Sequence, residues 1–237
     1  MHLQAVSNTP ARTDLAPFAV TQSLGHHGTG HIMGMSSLHT KAAGETLFAE
    51  GHEADSVYEV VRGMVRLYKL LADGRRLITG FLSAGQLLDL APEGIWAYTG
   101  EAITEVTVCR YKRTVFERLI DEVPGFARRL LSATSNELRT AQERMLLLGR
   151  KGAAEKVASF LLMMADQQGG DGAEHVNIPM SRNDIADYLG LTIETVSRTL
   201  TRLKQDGLIA LPKSVRIEIR DRARLEELAG GESGMDS

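Results

Sequence analysis

From Lys41 onward, short apolar runs alternate with glycine. The runs are Thr46-Leu47-Phe48, Val57-Tyr58-Glu59-Val60-Val61, Met64 to Leu71, Leu77 to Leu82 and Ala102 to Tyr111. Gly44, Gly51, Gly63, Gly74, Gly80, Gly85 and Gly100 punctuate them. Short β-favouring runs with turn glycines at regular intervals predict an antiparallel sandwich or barrel. Ala72-Asp73-Gly74, between two such runs, predicts a hairpin, because Asp-Gly tolerates the backbone angles of tight turns. Residues 1–40 carry no sustained period, and glycines fall there among His26, His27 and His31.

After about Thr114 the period becomes helical. Val115, Leu119 and Ile120 predict a short helix that stops before Pro124. Ala127, Leu131, Thr134, Leu138, Ala141, Met145 and Leu148 then repeat at alternating spacings of four and three. That is an a/d seam over three heptads. It fits either a stripe packed on the chain's own core or a homodimer coiled coil, and the length and strict spacing favour the dimer. Gly149-Arg150-Lys151-Gly152 reads as a hinge, and Ala153 to Gln167 as another helix.

The stretch 180–220 is the most informative. Ser181-Arg182-Asn183-Asp184 is a capping-box-like helix start. The helix ends at Gly190, suited to a left-handed C-cap. Thr192 can cap a second helix running from Ile193 to about Gln205, with Val196, Leu200 and Leu203 as its inward stripe. Two short helices joined by a glycine turn make a helix-turn-helix. Two strands around Pro212-Lys213-Ser214 would form a β-hairpin wing. The tail from Asp221 is charged, ends in a Gly-rich stretch and is expected to fray.

The outward face of the second helix brings Glu194, Ser197, Arg198 and Thr201 together near its N-terminus, the part of a recognition helix that reaches base edges. Arg198 can donate two hydrogen bonds to guanine, Glu194 can accept from cytosine, and Ser197 can meet a base edge or a thymine methyl. The helix N-terminus and the hydroxyls of Ser181, Thr192 and Thr195 suit phosphate oxygens. The plain alternative is an ordinary i,i+4 pair between Glu194 and Arg198.

Overall composition adds little to this. The chain has 237 residues and a net charge of −3, which argues against a wholly basic nucleic-acid coat. Residues 180–216, however, hold six cations against four anions, a local excess where DNA would lie. No run approaches the roughly 20 apolar residues of a membrane span. The N-terminus lacks the pattern of a signal peptide, so a cytoplasmic protein is expected. The one cysteine, Cys109, rules out an internal disulfide and an all-cysteine metal site in one chain. Cys109 fits a redox switch or, more simply, a small buried hydrophobe in a strand. A metal site built from His26, His27, His31 and Cys109 is disfavoured by the irregular, Gly-rich setting. A cupin-like metal enzyme would need several convergent ligands, yet between 44 and 111 only His52 is a histidine. A haem- or small-ligand-gated regulator is a further alternative.

These motifs resemble the CRP/FNR family of bacterial transcription regulators. Ala43 to Gly51 followed by Val57 to Gly63 is similar to the start of that family's cyclic-nucleotide-binding-like β-roll. Arg144 to Lys151 resembles the end of its dimerisation helix, and Glu194-Thr195-Val196-Ser197-Arg198 matches the Glu-x-x-Ser-Arg signature of the FNR/FixK branch. The resemblance covers about residues 40–220. It implies an α+β chain with an N-terminal β-roll (jelly roll), a long dimerisation helix and a C-terminal winged helix-turn-helix. The expected boundaries are 1–35 for a flexible segment, 36–123 for the roll, 124–149 for the dimerisation helix, 150–221 for the DNA-binding domain and 222–237 for the tail. It further implies a homodimer on a TTGAT-NNNN-ATCAA-like palindrome, acting through RNA polymerase and mainly as an activator. In this likeness Arg198 would read guanine, Glu194 its paired cytosine and Ser197 a thymine, while Arg182 would touch phosphate. Gly85 to Thr99, matching the family's phosphate cassette, holds no arginine, so no cyclic nucleotide is expected. The cysteine-poor pattern resembles FixK proteins rather than iron–sulfur members, so no cofactor is expected, and it implies control of microaerobic or nitrogen-fixation genes.

Overall fold

The computed structural model describes residues 36–88, 94–169, 174–213 and 215–231. Its N-terminal part is two four-stranded antiparallel sheets. One runs β1 (Ser36–Lys41), β8 (Val106–Lys112), β3 (Ser56–Arg62), β6 (Leu87–Leu88). The other runs β2 (Thr46–Phe48), β7 (Thr99–Ala102), β4 (Val65–Leu70), β5 (Arg76–Leu82). The expected β4–β5 hairpin is present, and Gly74 carries the positive φ of its turn.

Two differences from the sequence reading have a physical cause. Strand β1 falls at the start of the expected roll but almost wholly in residues 1–40, where no sustained period runs, pairing from Ser36 against Tyr111 to Lys41 against Val106. Most of its side chains are exposed, so ladder hydrogen bonds rather than apolar burial hold it, and no period marks it in the sequence. The run from Ala102 to Tyr111 is two strands in different sheets rather than one. The chain changes sheet at 103–105, beside Gly63. A Cβ on Gly63 would fall 2.3 Å from the Glu105 carbonyl oxygen, so only glycine fits this close approach. His26, His27 and His31 lie outside the described residues.

Phe48, Val60, Val65, Leu82, Leu88, Trp96, Ala102, Val106 and Val108 fill the roll. The Phe48 and Trp96 rings stack with centroids 4.0 Å apart. The other side of β8 is buried too. Cys109 and Tyr111 pack with Val57 against Phe116, Leu119 and Phe126, which lie on helix α1 (Arg113–Glu122) and at the start of α2 (Phe126–Arg150). Cys109 is buried, as a small hydrophobe in a strand would be. Helix α1 stops before Pro124, as expected.

The C-terminal part comprises α3 (Ala153–Gly169), β9 (His175–Asn177), α4 (Arg182–Leu189), α5 (Ile193–Gln205), β10 (Ile209–Lys213), β11 (Arg216–Ile219) and α6 (Arg222–Gly230). The wing is a three-stranded sheet, β10-β11-β9, and its third strand is too short to show in the sequence pattern. The charged tail expected to fray from residue 222 is instead a packed helix. Asp221 caps α6 by accepting from the Arg224 amide at 3.0 Å, and Leu225 is fully buried. Leu225, Leu228 and Ala229 alone face the core, too few positions for a period to be read. The C-terminal unit therefore reaches Gly230 rather than residue 221. Lys151 ties its far end to the hinge, donating to the Ala229 carbonyl at 2.6 Å and to Ser159 at 2.8 Å.

One apolar core joins the two parts. Met64, Ile78 and Phe81 of the roll pack with Phe160, Tyr188 and the rest of the C-terminal core. Phe81 meets the Tyr188 ring at 5.2 Å between centroids.

Candidate nucleic-acid interface

Local chemistry builds the helix-turn-helix. The Ser181 hydroxyl accepts from the Asp184 amide at 3.0 Å, and the Asp184 carboxylate accepts from the Ser181 amide at 3.0 Å, closing a capping box. Gly190 takes the left-handed conformation, at φ 63°, and ends α4. Its amide donates to the Ala186 carbonyl. Thr192 then caps α5 by accepting from the Thr195 amide at 3.2 Å. Val196, Leu200 and Leu203 turn inward and are buried, together with Thr199. Leu191, between the helices, is partly buried against the same core.

The opposite face of α5 is open. Glu194, Ser197, Arg198 and Thr201 are all exposed. The alternative i,i+4 pair is not formed: no ion pair joins Glu194 to Arg198 among the described residues. Thr201 instead donates back to the Ser197 carbonyl at 2.9 Å. An acid, a hydroxyl and a guanidinium thus stand free on one exposed helical turn. Arg202 and Lys204 add cations in the last turn, where the helix dipole favours them.

The four residues placed beside phosphate divide. Thr192 is exposed, and its hydroxyl lies 3.0 Å from that of half-buried Thr195, so only one of the two spends its proton on the other. Arg182 is half-buried at the start of α4, and this burial pushes its guanidinium below the usual arginine value without discharging it. Ser181 is exposed, and its hydroxyl donates to the Asp184 carboxylate at 2.8 Å, which shapes the helix start.

The residues of the expected seam line up along α2. Leu131 is 67%, Leu138 60%, Met145 73% and Leu148 37% exposed. Ala127, Thr134 and Ala141 are exposed as well. From Ala127 to Met145 this stripe therefore does not pack on the chain's own core, while Leu148 lies beside Gly190. Thr134 donates to the Leu130 carbonyl at 2.9 Å, so it could be covered without leaving an orphan donor.

Several contacts escape the sequence reading. Asp184 accepts from Arg66 at 3.1 Å and from Arg76 at 2.5 Å, both in the roll. Asp187 accepts from Arg76 at 2.9 Å. The Arg144 guanidinium donates to the Ile78 and Thr79 carbonyls, and burial pushes it below the usual arginine value. No period or motif points to these pairs. Among the described residues, no group of three or more His, Cys, Asp or Glu side chains could hold a metal ion. No helix among them is long and apolar enough to cross a membrane.

Known proteins carry the same two parts. Residues 38–123 match the cyclic nucleotide-binding domain, and residues 155–228 match the Crp-like helix-turn-helix domain. The chain is 46% identical over 188 residues to the transcriptional activatory protein AadR of Rhodopseudomonas palustris, covering 78% of each chain. It is 46% identical over 192 residues to the nitrogen fixation regulation protein FixK of Bradyrhizobium diazoefficiens, covering 79% of this chain and 80% of that one. Among solved structures, FixK2 from Bradyrhizobium japonicum matches with a TM-score of 0.76 and 41% identity, over 81% of this chain and 96% of that one. The chain belongs to the CRP/FNR family of transcription regulators, in its FixK-like branch, with a cyclic-nucleotide-binding-like roll followed by a Crp-like DNA-binding helix-turn-helix.

Proposed function

We propose that this protein is a homodimeric, non-enzymatic regulator in the cytoplasm that reads a TTGAT-NNNN-ATCAA-like palindrome and acts mainly as an activator through RNA polymerase. The observation that carries this reading is the open face of α5, where Glu194, Ser197 and Arg198 are exposed and no ion pair joins Glu194 to Arg198 among the described residues. Arg198 reads guanine through two donors, Glu194 accepts from the paired cytosine, and Ser197 meets a thymine. Arg182, Thr192 and Thr195, with the α5 N-terminus, hold phosphates and fix the register. A palindrome needs two such heads about one DNA turn apart. The exposed stripe from Leu131 to Leu148 supplies the two-fold seam that would set this spacing.

The roll does not fit a cyclic nucleotide. No arginine lies between Gly85 and Thr99 to meet a phosphate, and a buried phosphate without a cation is costly. The stacked Phe48 and Trp96 rings occupy the interior of the roll. The name of the AadR relative supports activation, and those of the FixK relatives a setting in nitrogen fixation. Selection of binding sites from random duplexes with purified protein, with and without oxygen, tests the reading. Recovery of an inverted repeat of this form in both atmospheres supports it, and recovery of no inverted repeat in either refutes it.

A further inference from the structure

The β4–β5 hairpin of the roll grips the first helix of the helix-turn-helix. Arg66, on β4, donates to both oxygens of Asp184, at 3.1 and 3.2 Å, and also pairs with Glu101 on β7. Arg76, on β5, donates to Asp184 at 2.5 Å and to Asp187 at 2.9 and 3.1 Å. The joint is shielded from water: the side chains are 18% exposed for Arg66, 22% for Arg76 and only 3% for Asp184. Charge-assisted bonds in such a setting are stronger and more directional than surface pairs. Asp184 lies in the first turn of α4, where the helix dipole also favours its charge. The same carboxylate closes the capping box with Ser181, so one group joins the local start of α4 to the roll.

We infer that Arg66, Arg76, Asp184 and Asp187 form a clasp that fixes the orientation of the DNA-reading head relative to the roll, making the two arginines positioning residues for palindrome recognition. The clasp engages α4 and none of the reading residues of α5. With every bond made, Glu194, Ser197 and Arg198 remain exposed, so the contact holds the head without covering it. A head that swivels can still meet one half-site. Two heads must be in phase to occupy both halves at once, and avidity is lost when geometry forbids simultaneous contact.

This inference rests on the proposed DNA reading, and the test separates the two. Binding to a fluorescent full palindrome, to a single half-site and to a random duplex is measured by anisotropy at low salt. The proteins are the full chain, Arg76→Asp, Asp187→Arg and the double swap Arg76→Asp with Asp187→Arg. Asp184 is left alone because it also caps α4. The clasp predicts that each single reversal weakens palindrome binding by about tenfold or more, leaves half-site and random binding within about twofold, and is largely rescued in the double swap. Unchanged palindrome binding by both single variants overturns the clasp alone. Equal loss on the half-site and no rescue also overturns it, since the residues would then merely hold the fold. If the unaltered chain shows no preference for the palindrome over random duplex, the DNA reading itself fails and takes the inference with it.

Discussion

The guanidinium of Arg144, in helix α2, lies over the ring of Tyr188, in the first helix of the helix-turn-helix, 4.3 Å from its centroid. The same guanidinium donates to the Ile78 and Thr79 carbonyls of strand β5. One side chain therefore ties three parts together: helix α2, the roll and the helix-turn-helix. Arginine suits this place because its planar fork serves two acceptors while its face stacks on an aromatic ring.

Arg144→Leu should lower stability by about 1–3 kcal/mol, since two carbonyls lose a charged donor and the ring loses its cation. Arg144→Lys should recover only part of this, because an ammonium neither forks nor stacks in the same way. Urea unfolding midpoints check both. A lysine variant as stable as the parent chain would show that charge alone matters at this position.

Leu138 is 60% exposed in the middle of the α2 stripe. Leu138→Glu should place two like charges face to face across a two-fold seam and split the dimer. Sedimentation equilibrium should then report a monomer, with palindrome binding lost in parallel. A variant that still sediments as a dimer would refute the seam.

Burial pushes the Tyr111 phenol far above its ordinary value, with Cys109 and Glu59 adding to the effect. Its hydroxyl donates to the Glu59 carboxyl at 3.2 Å. The folded chain keeps this proton where the unfolded chain loses it, so the unfolded state binds fewer protons above the ordinary tyrosine value of about 10. Stability should therefore hold below that pH and fall as pH rises beyond it. Tyr111→Phe should cost about 1 kcal/mol or more at neutral pH through the lost hydrogen bond, and should flatten the alkaline decline. Melting temperatures of both proteins across alkaline pH show whether the two curves converge.

The helix-turn-helix was the most legible part of the chain because its instructions are local. Ser181, Gly190 and Thr192 set helix ends through bonds to their own neighbours, and the structure places each end as expected. The exposed apolar stripe of α2 was legible for the same reason, a strict period on one helix. Strands β1 and β9 and helix α6 were not. Each is short and held by distant partners, so no period accumulates. The arginine clasp was the hardest to see. Arg66 reads as a polar position on an ordinary half-buried strand, and its partner Asp184 lies 118 positions further along. Asp184 itself reads fully as a cap, with nothing in the sequence to announce its second set of bonds. Ser181 shows the converse: its residue type suits both capping and phosphate contact, and only the bond to Asp184 shows where its proton goes.

Base reading by Arg198 is the central claim, and a single side-chain truncation tests it most directly. Arg198→Ala is compared with the parent chain by anisotropy on the palindrome and on random duplex at one fixed salt concentration. The account predicts a loss of about 1–3 kcal/mol on the palindrome and far less on random DNA. Equal losses on both duplexes would make Arg198 a phosphate contact and contradict it.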